Sequence, residues 1–362
     1  MIKIQASASK GWLHQEAGFK FEKKYYFDPE FRWDQDHAID QYLAERFPHY
    51  PIYNMESNLG QIEYTLEKQI IVGGIQPNLI IGLAAGADFF CDPDKDSDIS
   101  IRPLESLLHH PEKLPSVESF LESSLIKGFD AQIAELKETK PDYRIIPPYF
   151  WDTSGRATIH GFITTSMKLF GEDIFLLMID DPDLVREIHG WITDVYRALI
   201  DHYSKLADLP ATAVHVGECT GTLLSPDQYH DFIVPFANRM GNEIGGLRWH
   251  SCGDSNHLLE PLSEVETLKI LDTGSKTSMA NIREEFGNTI EVNVAPPVDV
   301  LLERSDPQDI ERWLDETLDG NDGGPLKIVH HLEPGYSLDA NLRMHDQLDA
   351  KGLLPKARRA KI

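Results

Sequence analysis

From residue 157 onward, short apolar runs alternate with longer stretches whose apolar residues recur at helical spacing. Residues 157–162 form the first run. Asp181-Pro182 then opens a helix, with the aspartate as cap and the proline in the first turn. Val185, Ile188, Ile192, Val195 and Leu199 follow at intervals that place them on one face. Residues 213–216 are the next strand candidate. Ser225-Pro226-Asp227-Gln228 has the form of a capping box, and the helix behind it is expected to bury Tyr229, Phe232, Ile233, Phe236 and Met240. Strand 247–250 precedes helix 256–262, and strand 267–271 precedes helix 279–286. Strand 289–294 precedes a helix opened by Ser305-Asp306-Pro307-Gln308, with Ile310, Trp313 and Leu314 inward. Strand 326–329 precedes helix 338–348.

Strands alternating with helices imply parallel pairing. About six such units fit in residues 157–350, with one or two more expected around Ile80 and Ile146. That number favours a closed (β/α)8 TIM barrel over a doubly wound sheet, whose usual G-x-G-x-x-G turn follows none of the strands. The first 70 or so residues are aromatic-rich with little periodicity and read as a partly helical N-terminal extension. Neither an internal repeat nor a low-complexity linker is visible, so residues 1–362 read as a single domain.

Charge narrows the function. Lys and Arg number 34 against 59 Asp and Glu, a net charge of −25. Such a chain repels phosphate, which argues against nucleic acid and anionic membrane surfaces and leaves small-molecule chemistry or a protein partner. No run approaches the roughly 18 apolar residues of a membrane span, and the N-terminus shows no signal peptide. Cys91, Cys219 and Cys252 are too few and too irregular for a disulfide framework, so a reducing cytoplasm fits. The basic stretch Lys356-Ala357-Arg358-Arg359-Ala360-Lys361 reads as a frayed tail.

The strongest chemical signal is Trp249-His250-Ser251-Cys252-Gly253-Asp254, where a strand gives way to a helix. Residues two apart on a strand project to one side. His250 and Cys252 therefore aim together into the mouth of a barrel, where active sites of this fold are built. Imidazole and thiolate are preferred zinc ligands. On spacing alone, a buried histidine beside a small apolar cysteine explains H-x-C equally well. Two further strand ends carry candidates: Val214-His215-Val216-Gly217-Glu218-Cys219, and Ile328-Val329-His330-His331. Taken singly, each of these is an ordinary core or loop residue. At the same end of their strands, they could converge.

His250-Ser251-Cys252-Gly253 resembles the H-x-C-G of the zinc-dependent, cobalamin-linked methyltransferases in the uroporphyrinogen decarboxylase superfamily. The stretch from His160 to Thr165, Lys168-Leu169-Phe170-Gly171-Glu172 and Asp181-Pro182-Asp183 is similar to the family block preceding that site. Leu224-Ser225-Pro226-Asp227-Gln228-Tyr229, with Phe232 and Pro235, resembles its S-P-x-x-Y-x-x-F-x-x-P helix, and the stretch from His331 to Asn341 resembles its last loop. Where the methyltransferases have a second zinc-binding cysteine, this chain has His331, with His330 adjacent. The resemblance implies zinc held by His250 and Cys252 first, then His331, Glu218 or His330. It also implies methyl transfer between a small substrate and a corrinoid (cobalamin) on a partner protein. Glu218 and Asp272 are the candidate catalytic groups, with Asp272 orienting substrate or a ligand histidine, or else capping a loop. Tyr149, Phe150 and Trp151 would wall a pocket or pack in the core. True uroporphyrinogen decarboxylases match less well, since the N-terminus lacks their arginines and an acidic chain poorly hosts an octa-anionic porphyrinogen. The alternatives are a metal-independent decarboxylase using Arg156 and Arg248, and a non-catalytic barrel serving as a partner subunit.

Overall fold

The structure is a computed structural model that describes residues 2–54, 68–100 and 102–354, so the basic stretch at 356–361 lies outside the described residues. In chain order the strands are β1 (Lys3–Ala8), β2 (Ile52–Asn54), β3 (Gln69–Ile71), β4 (Phe89–Phe90), β5 (Asp98–Ile99), β6 (Arg144–Ile146), β7 (Arg156–His160), β8 (Ala213–Gly217), β9 (Gly246–Ser251), β10 (Leu268–Thr273), β11 (Glu291–Val294) and β12 (Leu326–Leu332). Eight of them form one curled sheet in the order β2-β1-β12-β11-β10-β9-β8-β7, and every pairing in it is parallel. First and last strands are neighbours, as in a (β/α)8 barrel, with Ser7 opposite His331.

Among the described residues the curl is not sealed by hydrogen bonds. Among the described residues β2 and β7 remain the two edges of the sheet. A separate parallel pair, β3 with β6, accompanies it, and β4 with β5 forms a short antiparallel pair. Helix Pro29–Arg46 packs on both β2 and β3, and helix Pro77–Ala84 packs on β7.

Three local outcomes differ from the periodicity. The first 70 residues are helical between Lys10 and Arg46, but β1 and β2 at either end of that stretch are strands of the main sheet. Lys3–Ala8 is six residues long and buried from Ile4 onward, too short to show a period against its aromatic surroundings. Ile146 ends β6, whereas Ile80 lies in a helix. The run from Leu79 to Leu83 suits a buried helix or strand equally, and Pro77 in the first turn favours the helix. The helix after the capping box is broken at Ile233 into Pro226–Phe232 and Val234–Ile244, because Pro235 has no N–H to continue the first segment. The capping box itself forms: Gln228 N donates to Ser225 Oγ at 3.2 Å, and Ser225 N donates to Gln228 Oε1 at 3.1 Å.

Strand alternation decides what faces the inside of the curl. In β9, Trp249 meets the ring of Tyr229 on the covering helix, with centroids 6.3 Å apart, so Leu247, Trp249 and Ser251 face the helices. Arg248 and His250 therefore face the lumen. In β12, His330 bonds Asn341 of helix Leu338–Ala350, which leaves Lys327, Val329 and His331 inward. The helix side is apolar and buried, with Val214, Val216, Leu271, Val292 and Ile328 all closed to solvent. The lumen side is largely polar, unlike the branched apolar filling usual in such barrels.

The long helix Pro182–Ala207 buries the expected stripe from Val185 to Leu199, and the Asp181 side chain accepts from Leu184 N at 3.2 Å. Asp181→Ala should cost about 1 kcal/mol through the lost cap. Ile192→Ala should cost about 2–5 kcal/mol through the cavity it leaves. Urea unfolding of the two variants checks both values.

Candidate metal centre

His250 and Cys252 stand at the C-terminal end of β9, and β8 brings a third donor beside them. Gly217 is the register partner of His250, and Glu218 N donates to His250 O at 2.8 Å, extending the pairing one residue past the strand. The chain then turns into a short 3-10 helix, Thr220–Leu223, and Cys219 is left beside Cys252. Cys219 Sγ lies 2.8 Å from Cys252 Sγ, and His250 Nε2 lies 3.0 Å from Cys252 Sγ. The three donor atoms fall within 4.8 Å of one another, the one such group among the described residues. Gly274 permits this packing, since a side chain there would collide with the carbonyl of Cys252.

Asp272 organises the charge below the donors. Its Oδ2 is 3.0 Å from His250 Nδ1 and 2.6 Å from the Arg248 guanidinium. Burial alone would raise the Asp272 pKa, but Arg248 and then His250 hold it well below the usual carboxylate range. Burial opposes charging His250, yet the Asp272 carboxylate raises the imidazole to about 10. The contact from Cys219 lowers the Cys252 pKa against the opposing effect of burial, while that same contact and burial raise the Cys219 thiol.

A family model described as uroporphyrinogen decarboxylase (URO-D) matches residues 160–346, a span that includes all three donors and Asp272. The chain belongs to the uroporphyrinogen decarboxylase family. Its fold is similar to that of a methyltransferase from Methanosarcina mazei, with a TM-score of 0.62 and 16% identity, covering 97% of this chain and 94% of that chain. No curated protein matches the chain. Among the described residues of this uroporphyrinogen decarboxylase-family protein, no helix is long and apolar enough to cross a membrane.

Other residues singled out in the sequence fall in different places. His331 faces the lumen, with Nδ1 2.7 Å from Ser7 Oγ, but it stands outside the group of three donors. Burial lowers its pKa, against the pull of Asp272. His330 is likewise not brought into that group. Alternation turns it away from the mouth, and its Nδ1 lies 2.7 Å from Asn341 Oδ1 in the helix layer. Glu218 also stands outside the group. Its carboxylate accepts from Ile163 N at 3.3 Å, Thr164 N at 3.0 Å and Thr164 Oγ1 at 2.6 Å, at the start of helix Phe162–Phe170. Gly161 makes that approach possible, because a β-carbon there would overlap the carboxylate. Burial raises Glu218 to about 7 against those hydrogen bonds, and the group braces the turn that carries Cys219. Asp272 is no loop cap, being paired inside the barrel. Tyr149 packs against Tyr196 and Tyr203 at 6.0 and 6.2 Å, and with Phe150 it belongs to the core.

Cys219 is the donor that sequence reasoning passed over in favour of Glu218. The available signal was its place at the end of the strand preceding β9, because consecutive strands of a parallel barrel are neighbours.

Asp272→Asn should bring the His250 imidazole down from about 10 to 6.5 or below, read by NMR titration of the histidine ring. The raised His250 pKa gives wild type a stability increment that is fully present below about pH 6.5 and is lost as pH rises through about 10. The variant should lack that pH dependence.

Proposed function

We propose that the chain is a zinc-dependent methyltransferase that moves a methyl group between a small substrate and a corrinoid carried on a separate protein. The observation that carries this reading is the convergence of Cys219, His250 and Cys252 at the C-terminal face of the barrel. Two sulfurs and one imidazole make a donor set suited to zinc, and three protein donors leave one position for substrate. Membership of the uroporphyrinogen decarboxylase family supports an enzyme, and the name of the M. mazei protein supports methyl transfer.

Zinc bound there would act as a Lewis acid toward a substrate thiol or a methyl-bearing heteroatom. The protein's part is orientation. The ion pair of Asp272 with His250 Nδ1 fixes the ring so that Nε2 faces the sulfurs. Arg248 holds Asp272 from the other side. His331, kept neutral near pH 7 by burial and linked to Ser7, faces the lumen with a ring nitrogen able to hydrogen-bond substrate. A corrinoid is too large for a packed lumen, so its carrier must approach the open mouth. The metal-independent decarboxylase alternative gives the paired thiols no task. The reading of a non-catalytic partner subunit leaves both the thiols and the buried ion pairs without one.

Purified wild type is expected to hold about one zinc per chain. Cys219→Ser and Cys252→Ser should each remove most of it, and His330→Ala should not, by elemental analysis. Mixing with a reduced corrinoid protein and methylated candidates should produce the methylcobalamin absorption change, suppressed in His250→Ala. A metal-free wild type that releases carbon dioxide from uroporphyrinogen would replace this reading with the decarboxylase.

A further inference from the structure

The sulfurs of Cys219 and Cys252 meet from neighbouring strands. Gly217 and His250 are register partners across β8 and β9, and two residues further along each segment stand Cys219 and Cys252. Neighbouring strands run about 4.8 Å apart, and the Cα atoms of bridged cysteines lie roughly 4.4–6.8 Å apart. The register therefore sets the two backbones at the spacing that a disulfide spans. The sulfurs are 2.8 Å apart, so a shift of under about 1 Å brings them to the S–S bond length of about 2.05 Å.

Backbone and side-chain contacts around the thiols hold this approach. Glu218 N donates to His250 O at 2.8 Å, Thr222 Oγ1 donates to Cys219 O at 2.9 Å, and Thr220 N donates to Thr164 Oγ1 at 3.1 Å. Past β9, Gly274 N donates to Ser251 O at 3.0 Å. Gly253 lies against Thr222, where a β-carbon would press on the threonine side chain. None of these contacts uses a sulfur, so the turns that carry the two thiols are positioned independently of any ligand on them.

Exposure differs between the two. Cys252 is exposed, and Cys219 is half-buried beside it. A thiol oxidised by a hydroperoxide becomes a sulfenic acid, and a second thiol in contact converts that to a disulfide. Cys252 is the sulfur a small oxidant reaches first, and Cys219 is the thiol in contact with it. Cys91, the third cysteine, follows β4 and stands outside this group.

We infer that Cys219 and Cys252 form a reversible oxidation site, in which a hydroperoxide converts the donor pair to an intramolecular disulfide. With hydrogen peroxide the O–O bond breaks, the Cys252 sulfur takes up hydroxyl, and one water leaves. The Cys219 sulfur then attacks the Cys252 sulfur, the S–S bond forms, and the hydroxyl leaves as a second water. In sum two thiols and one peroxide give one disulfide and two waters. A small dithiol reverses the reaction by exchange, its own sulfurs ending as the disulfide. Sulfurs joined to each other no longer serve as thiolate ligands, so the oxidised centre keeps only His250 of its three donors and releases its metal. That consequence rests on the zinc reading; the disulfide does not.

The first arm of the test uses metal-free protein. A small excess of hydrogen peroxide, enough to oxidise free glutathione, should take the chain from three free thiols to one. Peptide mass mapping should find residues 219 and 252 in one linked species, lighter by two hydrogens than the sum of its peptides. Dithiothreitol should restore all three thiols, and Cys91→Ser should form the same link. In Cys219→Ser, the Cys252 sulfur lacks its partner and should pass to sulfinic and sulfonic acids that dithiothreitol does not reverse. Should that variant fail to fold, the wild-type map decides by itself. In the zinc-loaded protein, loss of the thiol pair should release about one ion per disulfide, read with a chromogenic chelator. Survival of all three thiols, a link through Cys91 or between chains, or irreversible oxidation of Cys252 in wild type would overturn the site. Zinc loading without a link between residues 219 and 252 rejects this inference alone. The link in protein that takes up no zinc rejects the metal assignment alone.

Discussion

The two-residue alternation of parallel strands is the constraint on which this molecule depends. Each strand gives one face to the helices and one to the lumen, and here the two faces differ sharply in chemistry. Val214, Val216, Leu271, Val292 and Ile328 go outward into a closed apolar layer, where burial of hydrocarbon stabilises the fold. Thr158, His215, Arg248, Asp272, Asn293 and Lys327 go inward as a polar belt. A one-residue slip in any strand would exchange the two sets, placing charges against the helices. The apolar layer therefore fixes the register, and the register fixes the site.

Within the lumen, Asp272 is the point where structure and chemistry meet. Its carboxylate is shared between Arg248, which belongs to the polar belt, and His250, which belongs to the donor group. A buried ion pair with two partners stabilises a fold little against well-packed hydrocarbon. What it provides is direction: it keeps the imidazole of His250 turned so that Nε2 meets Cys252. The donor group and the polar belt below it are connected through that one carboxylate. Family membership across residues 160–346 covers the donors and most of the belt, with Arg156 and Thr158 on β7 just before that span.

Among the described residues, β2 and β7 are the edges of the main sheet, and what surrounds β2 has a physical reading. β2 contributes three residues of pairing to β1, and β3 pairs with β6 in a sheet of its own. Helix Pro29–Arg46 lies on both β2 and β3 and so joins the two sheets. The three donors and the charged residues below them sit on β7 to β12 or the turns that follow them.

The sequence by itself determined the alternation of strands and helices after residue 157, the helix starts at Asp181 and Ser225, and the pairing of His250 with Cys252. These are local properties, set by caps, prolines and spacing within a few residues. It could not determine which strand-end residues meet. His330 and His331 are adjacent in sequence and opposite in space, and only the packing of helix Leu338–Ala350 on β12 shows which of them faces the lumen. Glu218 and Cys219 pose the same problem. The turn after β8 leaves the thiol beside Cys252 and sends the carboxylate to a helix start. The strand at Lys3–Ala8 was hidden in an apparent extension, because its partners β2 and β12 lie more than forty and more than three hundred residues away. Convergence of distant strand ends depends on register and curl, which are set by the whole sheet and its helix layer, and no local pattern encodes them.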